Sequence, residues 1–244
     1  MRKDELMEYD LKKFEAGLRA LNLILSEDQV KQFMTYYEML IEKNKVMNLT
    51  AITEYEEVIE KHFLDSLSLC LYFRLDKCLS VLDLGTGAGF PGIPLRIAFP
   101  NLDLVLVDSL HKRIKFLEDV VEHLQLERIE LVHARAEELG RNMQYREQFD
   151  LCLSRAVANL STLSEYCLPF VREGGRFISY KYGEIEDEVR EAKRAVFLLG
   201  GKITDVYKFD LYEQKRSFVI IQKEKKTPKA YPRKAGTPTK SPLA

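Results

Sequence analysis

The segment Val81-Leu82-Asp83-Leu84-Gly85-Thr86-Gly87-Ala88-Gly89-Phe90 decides how this 244-residue chain is read. An apolar run is broken by an acidic residue, and three glycines then follow at alternate positions. In a sheet wound on both sides, ligands sit where such a loop leaves the carboxyl end of a strand. Glycine suits the loop because a bulky ligand must approach the backbone closely, and some positions favour positive φ.

Working outward, short apolar runs alternate with helical stretches from residue 79 onward. Runs at 79–84, 102–107, 129–132, 149–153 and 177–180 read as strands, and 94–99, 112–124, 160–167 and 184–199 as helices. Ile114, Leu117, Val121 and Leu124 form an apolar stripe on the second of these helices. The alternation predicts a doubly wound, mostly parallel α/β sheet covered on both faces. Runs 202–209 and 217–222 have no helix between them, so an antiparallel C-terminal hairpin is expected to complete seven strands.

Before residue 78 the pattern is helical. Ser26 and Gln29 have the spacing of a capping box. Val30, Phe33, Met34, Tyr37, Leu40 and Ile41 follow at helical spacing. A second amphipathic run, residues 56–73, carries Val58, Ile59, Phe63, Leu67 and Cys70. At the other end Pro228, Pro232, Pro238 and Pro242 argue against a regular element. The expected division is a helical cap (1–77), an α/β core (78–224) and a basic tail (225–244).

A content of 46% hydrophobic residues supplies a sizeable core and argues against a disordered or fibrous chain. The formal net charge of −1 does not point to a polyanionic partner. From Lys225 onward, however, there are six basic residues and no acidic one, a tail able to neutralise phosphates. Arg2, Lys3, Asp4, Glu5, Asp10 and Lys12 leave no apolar signal-peptide core. No apolar run approaches the roughly 20 residues that span a bilayer, so a cytoplasmic protein without a membrane partner is expected. Cys70, Cys78, Cys152 and Cys167 lack the paired spacing of metal or redox sites. No metal is expected, and Cys70, Cys152 and Cys167 read as buried thiols.

A nicotinamide fingerprint would be spaced Gly-x-Gly-x-x-Gly and offer a helix N-terminus to a pyrophosphate. Here Gly85, Gly87 and Gly89 are spaced Gly-x-Gly-x-Gly, with Asp83 two residues ahead. S-adenosylmethionine carries an ammonium and a carboxylate but no phosphate, so an acidic residue beside the loop suits it. Asp108 closes the next strand and is placed to hold ribose hydroxyls, a role a dehydrogenase would also give it. Ala136-Glu137 follows the third strand and is placed to frame an adenine, although Glu137 alone also reads as a solvated helix-start carboxylate. Three matching features at successive strand ends favour S-adenosylmethionine as cofactor. A nicotinamide-dependent oxidoreductase is the competing reading, and it would need the other glycine spacing and a Tyr or His relay placed with a Lys. A non-catalytic RNA-binding module would not need the intact set Asp83, Gly85, Gly87, Gly89 and Asp108.

The extended segment Asp83-Leu-Gly-Thr-Gly-Ala-Gly-Phe-Pro-Gly-Ile-Pro-Leu95 resembles the signature of the bacterial 16S ribosomal RNA guanine-N7 methyltransferase G family, also called glucose-inhibited division protein B. Asn48-Leu-Thr50, His62-Phe-Leu-Asp-Ser66, Val107-Asp-Ser109, Lys115-Phe-Leu117, Arg135-Ala-Glu137, Ser154-Arg-Ala156 and Tyr231-Pro-Arg-Lys-Ala-Gly236 resemble the same family. The resemblance runs from near residue 44 to the C-terminus and implies a class I methyltransferase (Rossmann-like) fold behind the helical cap. It implies that Gly85, Phe90, Ala136, Glu137 and Arg155 contact S-adenosylmethionine. Ser109, in a matching segment beside Asp108, is counted with them. It further implies methyl transfer to N7 of a guanine in the decoding-region loop of 16S ribosomal RNA.

Guanine N7 presents an in-plane lone pair and no proton, so its methylation requires alignment with the S–CH₃ bond and no general base. The chain lacks the Asn/Asp-Pro-Pro-Tyr segment of many amino-group methyltransferases and a Pro-Cys after the fourth strand, where Asp150-Leu-Cys-Leu-Ser-Arg155 stands. No catalytic side chain is therefore assigned. N7 lies on the deep, narrow groove of A-form RNA, so the target must sit in a loop or be splayed from the stack. Lys181, Arg233, Lys234 and His62 are candidate RNA contacts, each of which also reads as an ordinary surface or packing residue. His62 and Asp65 lie three apart and share a helix face, and Asp65 reads as structural. The expected partner is 16S ribosomal RNA or the small subunit, bound by a monomer. Another RNA or a small molecule as acceptor is the alternative within the same chemistry.

Overall fold

Why the glycine loop opens onto a cleft follows from how the strands are ordered. The computed structural model describes residues 9–77, 79–155, 158–212 and 214–243, so the readings at Cys78 and Ala156 lie outside the described residues. Its strands are β1 (Ser80–Leu84), β2 (Asp103–Asp108), β3 (Ile129–His133), β4 (Phe149–Ser154), β5 (Val171–Tyr182), β6 (Gly201–Leu211) and β7 (Gln214–Lys223). They form one sheet in the order β3-β2-β1-β4-β5-β7-β6. β1 to β5 run parallel, while β7 enters antiparallel to both β5 and β6. The order reverses between β2-β1 and β4, which is where open α/β sheets leave a crevice at their carboxyl ends.

Among the described residues, four α-helices of the cap precede the sheet: α1 (Lys12–Ala20), α2 (Glu27–Met47), α3 (Tyr55–Val58) and α4 (Asp65–Leu67). Both halves of the expected capping box form on α2. Gln29 N donates to Ser26 Oγ at 3.2 Å, and Ser26 N donates to Gln29 Oε1 at 2.8 Å. Between α3 and α4 the chain is π-helical over Ile59–Leu64, and a 3₁₀ turn, Ser68–Leu71, ends the rod. The amphipathic reading of this segment needs correction, because His62 to Leu69 are all buried. A helix packed on every side has no solvent face to keep polar.

The core helices are α5 (Gly92–Ala98), α6 (His111–His123), α7 (Ala136–Leu139), α8 (Leu160–Cys167) and α9 (Glu186–Leu198). α5 starts before Pro94 because a proline in the first helical turn has no intrahelical N–H bond to lose. Phe33, Tyr36 and Phe63 of the cap join Leu106 and Ile178 of the sheet in one apolar core. On the opposite face Leu82 and Cys152 pack with Leu160 and Cys167.

The tail also departs from expectation. A short helix, α10 (Thr237–Lys240), forms there with Pro238 in its first turn, where proline is tolerated. The segment lies against the core rather than free in solvent. Arg146 donates to the carbonyls of Thr227 and Tyr231 at 2.7 and 3.0 Å, and Thr227 Oγ1 donates to Leu199 O at 2.8 Å.

Cap and sheet are joined by a buried carboxylate. Asp65 receives Arg216 Nε at 2.6 Å on Oδ1 and Arg216 Nη2 at 2.7 Å on Oδ2, which also accepts Arg155 Nη1 at 3.0 Å. Asp65 and Arg216 are each only 2% exposed. Removing one member of a buried ion pair leaves the other charge uncompensated, at a cost of roughly 3–5 kcal/mol. Asp65→Ala should therefore lower the unfolding free energy by about that much in urea titrations, whereas Asp65→Asn, which keeps one acceptor, should lose less.

Candidate functional site

Three glycines of the loop serve three different needs. At Gly87 φ is +63° and an added Cβ would meet nothing within 4 Å, so the backbone there borders open space. At Gly89 a Cβ would stand 2.7 Å from the hydroxyl of Tyr36 and 2.6 Å from Ile93 Cγ1, so that glycine lets the cap pack on the loop. Tyr36 Oη in turn donates to Ala88 O at 2.5 Å. Gly85 keeps the turn pinned to β2, with its N–H donating to Val107 O at 2.9 Å.

Asp108, at the end of β2, fixes the loop from the other side. Its Oδ2 accepts Gly87 N at 3.0 Å and Arg113 Nη1 at 3.1 Å, and its Oδ1 accepts Leu110 N at 2.9 Å. Two cavities meet here and share Gly85, Asp108 and Ser109 in their walls. The first, about 290 Å³, continues past Ala136 and Glu137 to Tyr166 and Gly236. The second, about 430 Å³, runs past Gly87 and Phe90 to Thr50, His62 and Arg155. A third recess of about 390 Å³ adjoins both through Arg155 and Ala158 and is lined further by Tyr180, Lys181, Tyr182 and Glu188. Together they trace a bent groove along the carboxyl ends of β1, β2, β4 and β5.

Most residues singled out in the sequence converge on this groove. Gly85, Gly87, Phe90, Asp108, Ser109, Ala136, Glu137, Arg155 and His62 line the first two cavities, and Lys181 lines the third. Asp83 and Gly89 lie behind the loop. Asp83 Oδ2 accepts Thr86 Oγ1 at 2.7 Å and Gly92 N at 2.9 Å, while its Oδ1 is buried without a hydrogen-bond partner among the described residues. Burial pushes the Asp83 carboxyl up to about 6, against the lowering pull of the Thr86 and Gly92 hydrogen bonds. Arg233 is turned away from solvent onto Glu165, with Nη2 2.7 Å from Oε2. Lys234 is exposed on the surface.

Other wall residues were not singled out. Glu137 is buried, and its Oε1 accepts Gly236 N at 2.8 Å, so the tail closes one side of the first cavity. Tyr166 and Thr239, whose hydroxyls lie 2.8 Å apart, complete that wall. Thr50 Oγ1 lies 2.8 Å from His62 Nε2. Thr50 and Gly236 fall in the short segments Asn48-Leu-Thr50 and Tyr231–Gly236, whereas Tyr166 and Thr239 carry no sequence signal, because their place in the wall depends on distant packing.

His62 stacks on Phe90, with ring centroids 4.5 Å apart and planes 22° from parallel. Arg155 Nη2 approaches its Nδ1 to 3.3 Å, and the same guanidinium sits 5.0 Å from the Phe90 ring centroid. The second cavity thus carries a fixed cation, a neutral imidazole and two backbone loops. Such walls suit a zwitterionic ligand with a carboxylate end. The first cavity combines the apolar Leu84, Val107 and Leu163 with the buried carboxylates of Asp108 and Glu137, which suits a nucleoside. Among the described residues no group of three or more His, Cys, Asp or Glu side chains could hold a metal ion, and no helix is long and apolar enough to cross a membrane.

Comparison with known proteins follows the same lines. A family model described as GidB, rRNA small subunit methyltransferase G, matches residues 29–219. The chain is 52% identical over 232 residues to the ribosomal RNA small subunit methyltransferase G of Lachnoclostridium phytofermentans, covering 94% of this chain and 96% of the relative. It is 49% identical over 232 residues to the protein of that name from Lysinibacillus sphaericus, covering 94% and 98% respectively. Among solved structures, M. jannaschii TYW2 in complex with AdoMet superposes with a TM-score of 0.54 at 15% identity, over 71% of this chain and 79% of that one, a likeness of fold.

Burial, and then the nearby Arg155 charge, push His62 down to about 3 from its ordinary 6.5. The folded state therefore holds the ring neutral while the unfolded chain takes up a proton. The stabilisation is complete above the unfolded value and is lost as pH falls from 6.5 towards 3. In NMR titrations the His62 ring should show no protonation step down to about pH 5, and His62→Gln should flatten the decline in unfolding free energy between about pH 7 and pH 5. A His62 ring that titrates near its ordinary value would show that the stack on Phe90 opens to solvent.

Proposed function

This chain belongs to the GidB family of rRNA small subunit methyltransferase G proteins, and we propose how its groove carries out that reaction. It is a methyltransferase that moves a methyl group from S-adenosylmethionine to N7 of a guanine in 16S ribosomal RNA. In our reading the target lies in the decoding-region loop, and the protein acts as a cytoplasmic monomer without a membrane partner. We keep the division into cap (1–77), core (78–224) and tail (225–244).

The observation that carries the site assignment is the pair of cavities joined at Gly85, Asp108 and Ser109. When bound, S-adenosylmethionine supplies the electrophilic methyl group on its sulfonium. In this proposal Asp108 and Ser109 take the ribose, Ala136 and Glu137 frame the adenine, and Gly85, Gly87, Phe90 and Arg155 hold the methionine end. Asp83 and Gly89 act from behind, by fixing the loop through Thr86 and Gly92 and by admitting the cap. Alignment is the main requirement, since well-oriented reactants gain up to roughly 7–11 kcal/mol without any proton transfer. His62, held neutral beside Phe90, acts as part of the wall rather than as a base. Lys234 and the other exposed cations of the tail remain candidates for the RNA backbone, while Arg233, committed to Glu165, is proposed to anchor the tail.

Small-subunit RNA or particles from a strain lacking the modification should take up label from methyl-labelled S-adenosylmethionine, and nuclease digests should show it in 7-methylguanosine. Gly87→Asp places a side chain in the open cradle at positive φ and should abolish both cofactor binding and label. Label in another nucleoside would overturn the N7 assignment. A chain ending at residue 226 lacks Gly236 and Thr239, so calorimetry should show its S-adenosylmethionine affinity weakened by roughly 10-fold, the worth of about one buried hydrogen bond.

A further inference from the structure

The third recess lies beyond the two cavities assigned to the cofactor, and its far walls carry a paired acid and base. It meets the cofactor groove at Arg155 and Ala158, and Lys181, Tyr182 and Glu188 lie farther in. Lys181, near the end of β5, donates to Ala158 O at 2.7 Å and to Glu188 Oε1, in the first turn of α9, at 2.6 Å. The Lys181 side chain is 10% exposed and that of Glu188 29%, so the pair is partly shielded but reachable from the recess. Glu188 Oε2 makes no hydrogen bond among the described residues. Beside the pair, the Tyr182 ring is half exposed, and the Arg216 guanidinium, fixed by Asp65, sits 3.4 Å from its centroid.

We propose that this recess receives the acceptor guanine and reads its Watson–Crick edge, with Glu188 accepting from N1–H and N2–H₂, Lys181 donating to O6, and Tyr182 stacking on the base. The inference rests on the reading that the chain methylates guanine N7 in RNA. Guanine presents two adjacent donors and one acceptor on that edge, the complement of a carboxylate beside an ammonium. Adenine would set its N1 acceptor against the carboxylate and its amino donor against the ammonium. The placement also fits the transfer. N7 lies on the side of the purine away from N1 and N2, so a base anchored at Glu188 turns N7 towards the Arg155 end, where the groove begins. Enzymes that act on extruded bases recognise them through this edge and by stacking on aromatic side chains. Arg216 behind Tyr182 stiffens the platform, since a cation within about 6 Å of a ring centroid is attracted to its face.

The test uses small-subunit RNA in which the guanosine labelled by the wild-type enzyme is replaced by inosine, which keeps N7, O6 and N1–H but lacks the N2 amino group. For the wild-type enzyme kcat/KM should fall roughly 10- to 100-fold on the inosine RNA, the scale of discrimination by a bidentate base contact. Glu188→Ala should lose a similar factor on guanosine RNA, and replacing guanosine by inosine should then cost it little more. A merely structural Lys181–Glu188 pair would instead leave the inosine penalty equal in both enzymes, and that result overturns the proposal, as does Glu188→Ala with wild-type kcat/KM. Calorimetry with S-adenosylmethionine verifies that the variant's fold and cofactor site are intact. If Glu188→Ala does not bind cofactor, Glu188→Gln carries the same comparison. Failure of the wild-type enzyme to form 7-methylguanosine at all would remove the underlying reading, and this proposal with it.

Discussion

Everything around the groove depends on the carboxylate of Asp65, which holds two guanidinium groups away from water. Arg216 reaches it from β7 in a side-on, two-bond geometry, and Arg155 reaches it from the end of β4. Arg216 Nη1 also donates to Lys181 O at 2.9 Å, and Tyr180 Oη donates to Ser66 O at 3.1 Å. One acid thus ties the cap to three strands at the carboxyl end of the sheet. Burying three charges is costly unless each is paired and hydrogen-bonded, and here the pairing is complete on the carboxylate side. The consequence is geometric as much as energetic. Arg155 cannot leave the wall of the second cavity, nor Arg216 the back of Tyr182, without exposing a buried charge.

The same constraint explains the packing of the cap. His62 and Asp65 meet opposite ends of the Arg155 guanidinium, and the rod that carries them is π-helical just before Asp65. π-Helical turns are often found at functional sites, where they set side chains in directions an unbroken α-helix does not offer. Phe90 packs against both His62 and Arg155, so the loop, the cap and the end of β4 share one aromatic and cationic cluster. Gly89 permits it by leaving room for Tyr36.

Much of this was legible in the sequence because strand ends and loop glycines obey local rules. The alternation of runs after residue 79 gave five parallel strands and a terminal hairpin, and Ser26 with Gln29 marked the start of α2. Gly85, Gly87, Asp108, Ala136 and Glu137 could be placed at one edge of the sheet from order alone. What was hidden depended on contacts far apart in the chain. The apolar stripe read on α2 names Tyr37 and not Tyr36, yet Tyr36 is the fully buried one because Gly89 and Ala88 are brought to it. Arg216 looks like surface charge on a hairpin until Asp65, 151 residues away, is found beneath it. The basic, Pro-punctuated tail carries no local sign that it folds back, because the groups that hold it, Arg146, Glu137 and Glu165, lie 68 to 99 residues away.

Electrostatics along the groove suit a reaction that transfers a methyl cation equivalent to a lone pair. A general base works best with a pKa near the working pH. His62 is pushed far below that range, and Asp83, at about 6, is fully buried behind the loop with its bonded oxygen committed to Thr86 and Gly92. For guanine N7, which has no proton to give up, such a base would add nothing. The placement of charge matters more. Arg155 stands where the methionine carboxylate is proposed to lie, and Asp108 and Glu137 line the cavity proposed for the nucleoside. The Lys181–Glu188 pair flanks the acceptor recess beyond. Burial holds His62 neutral beside Arg155, so the wall of the second cavity carries one fixed positive charge there rather than two.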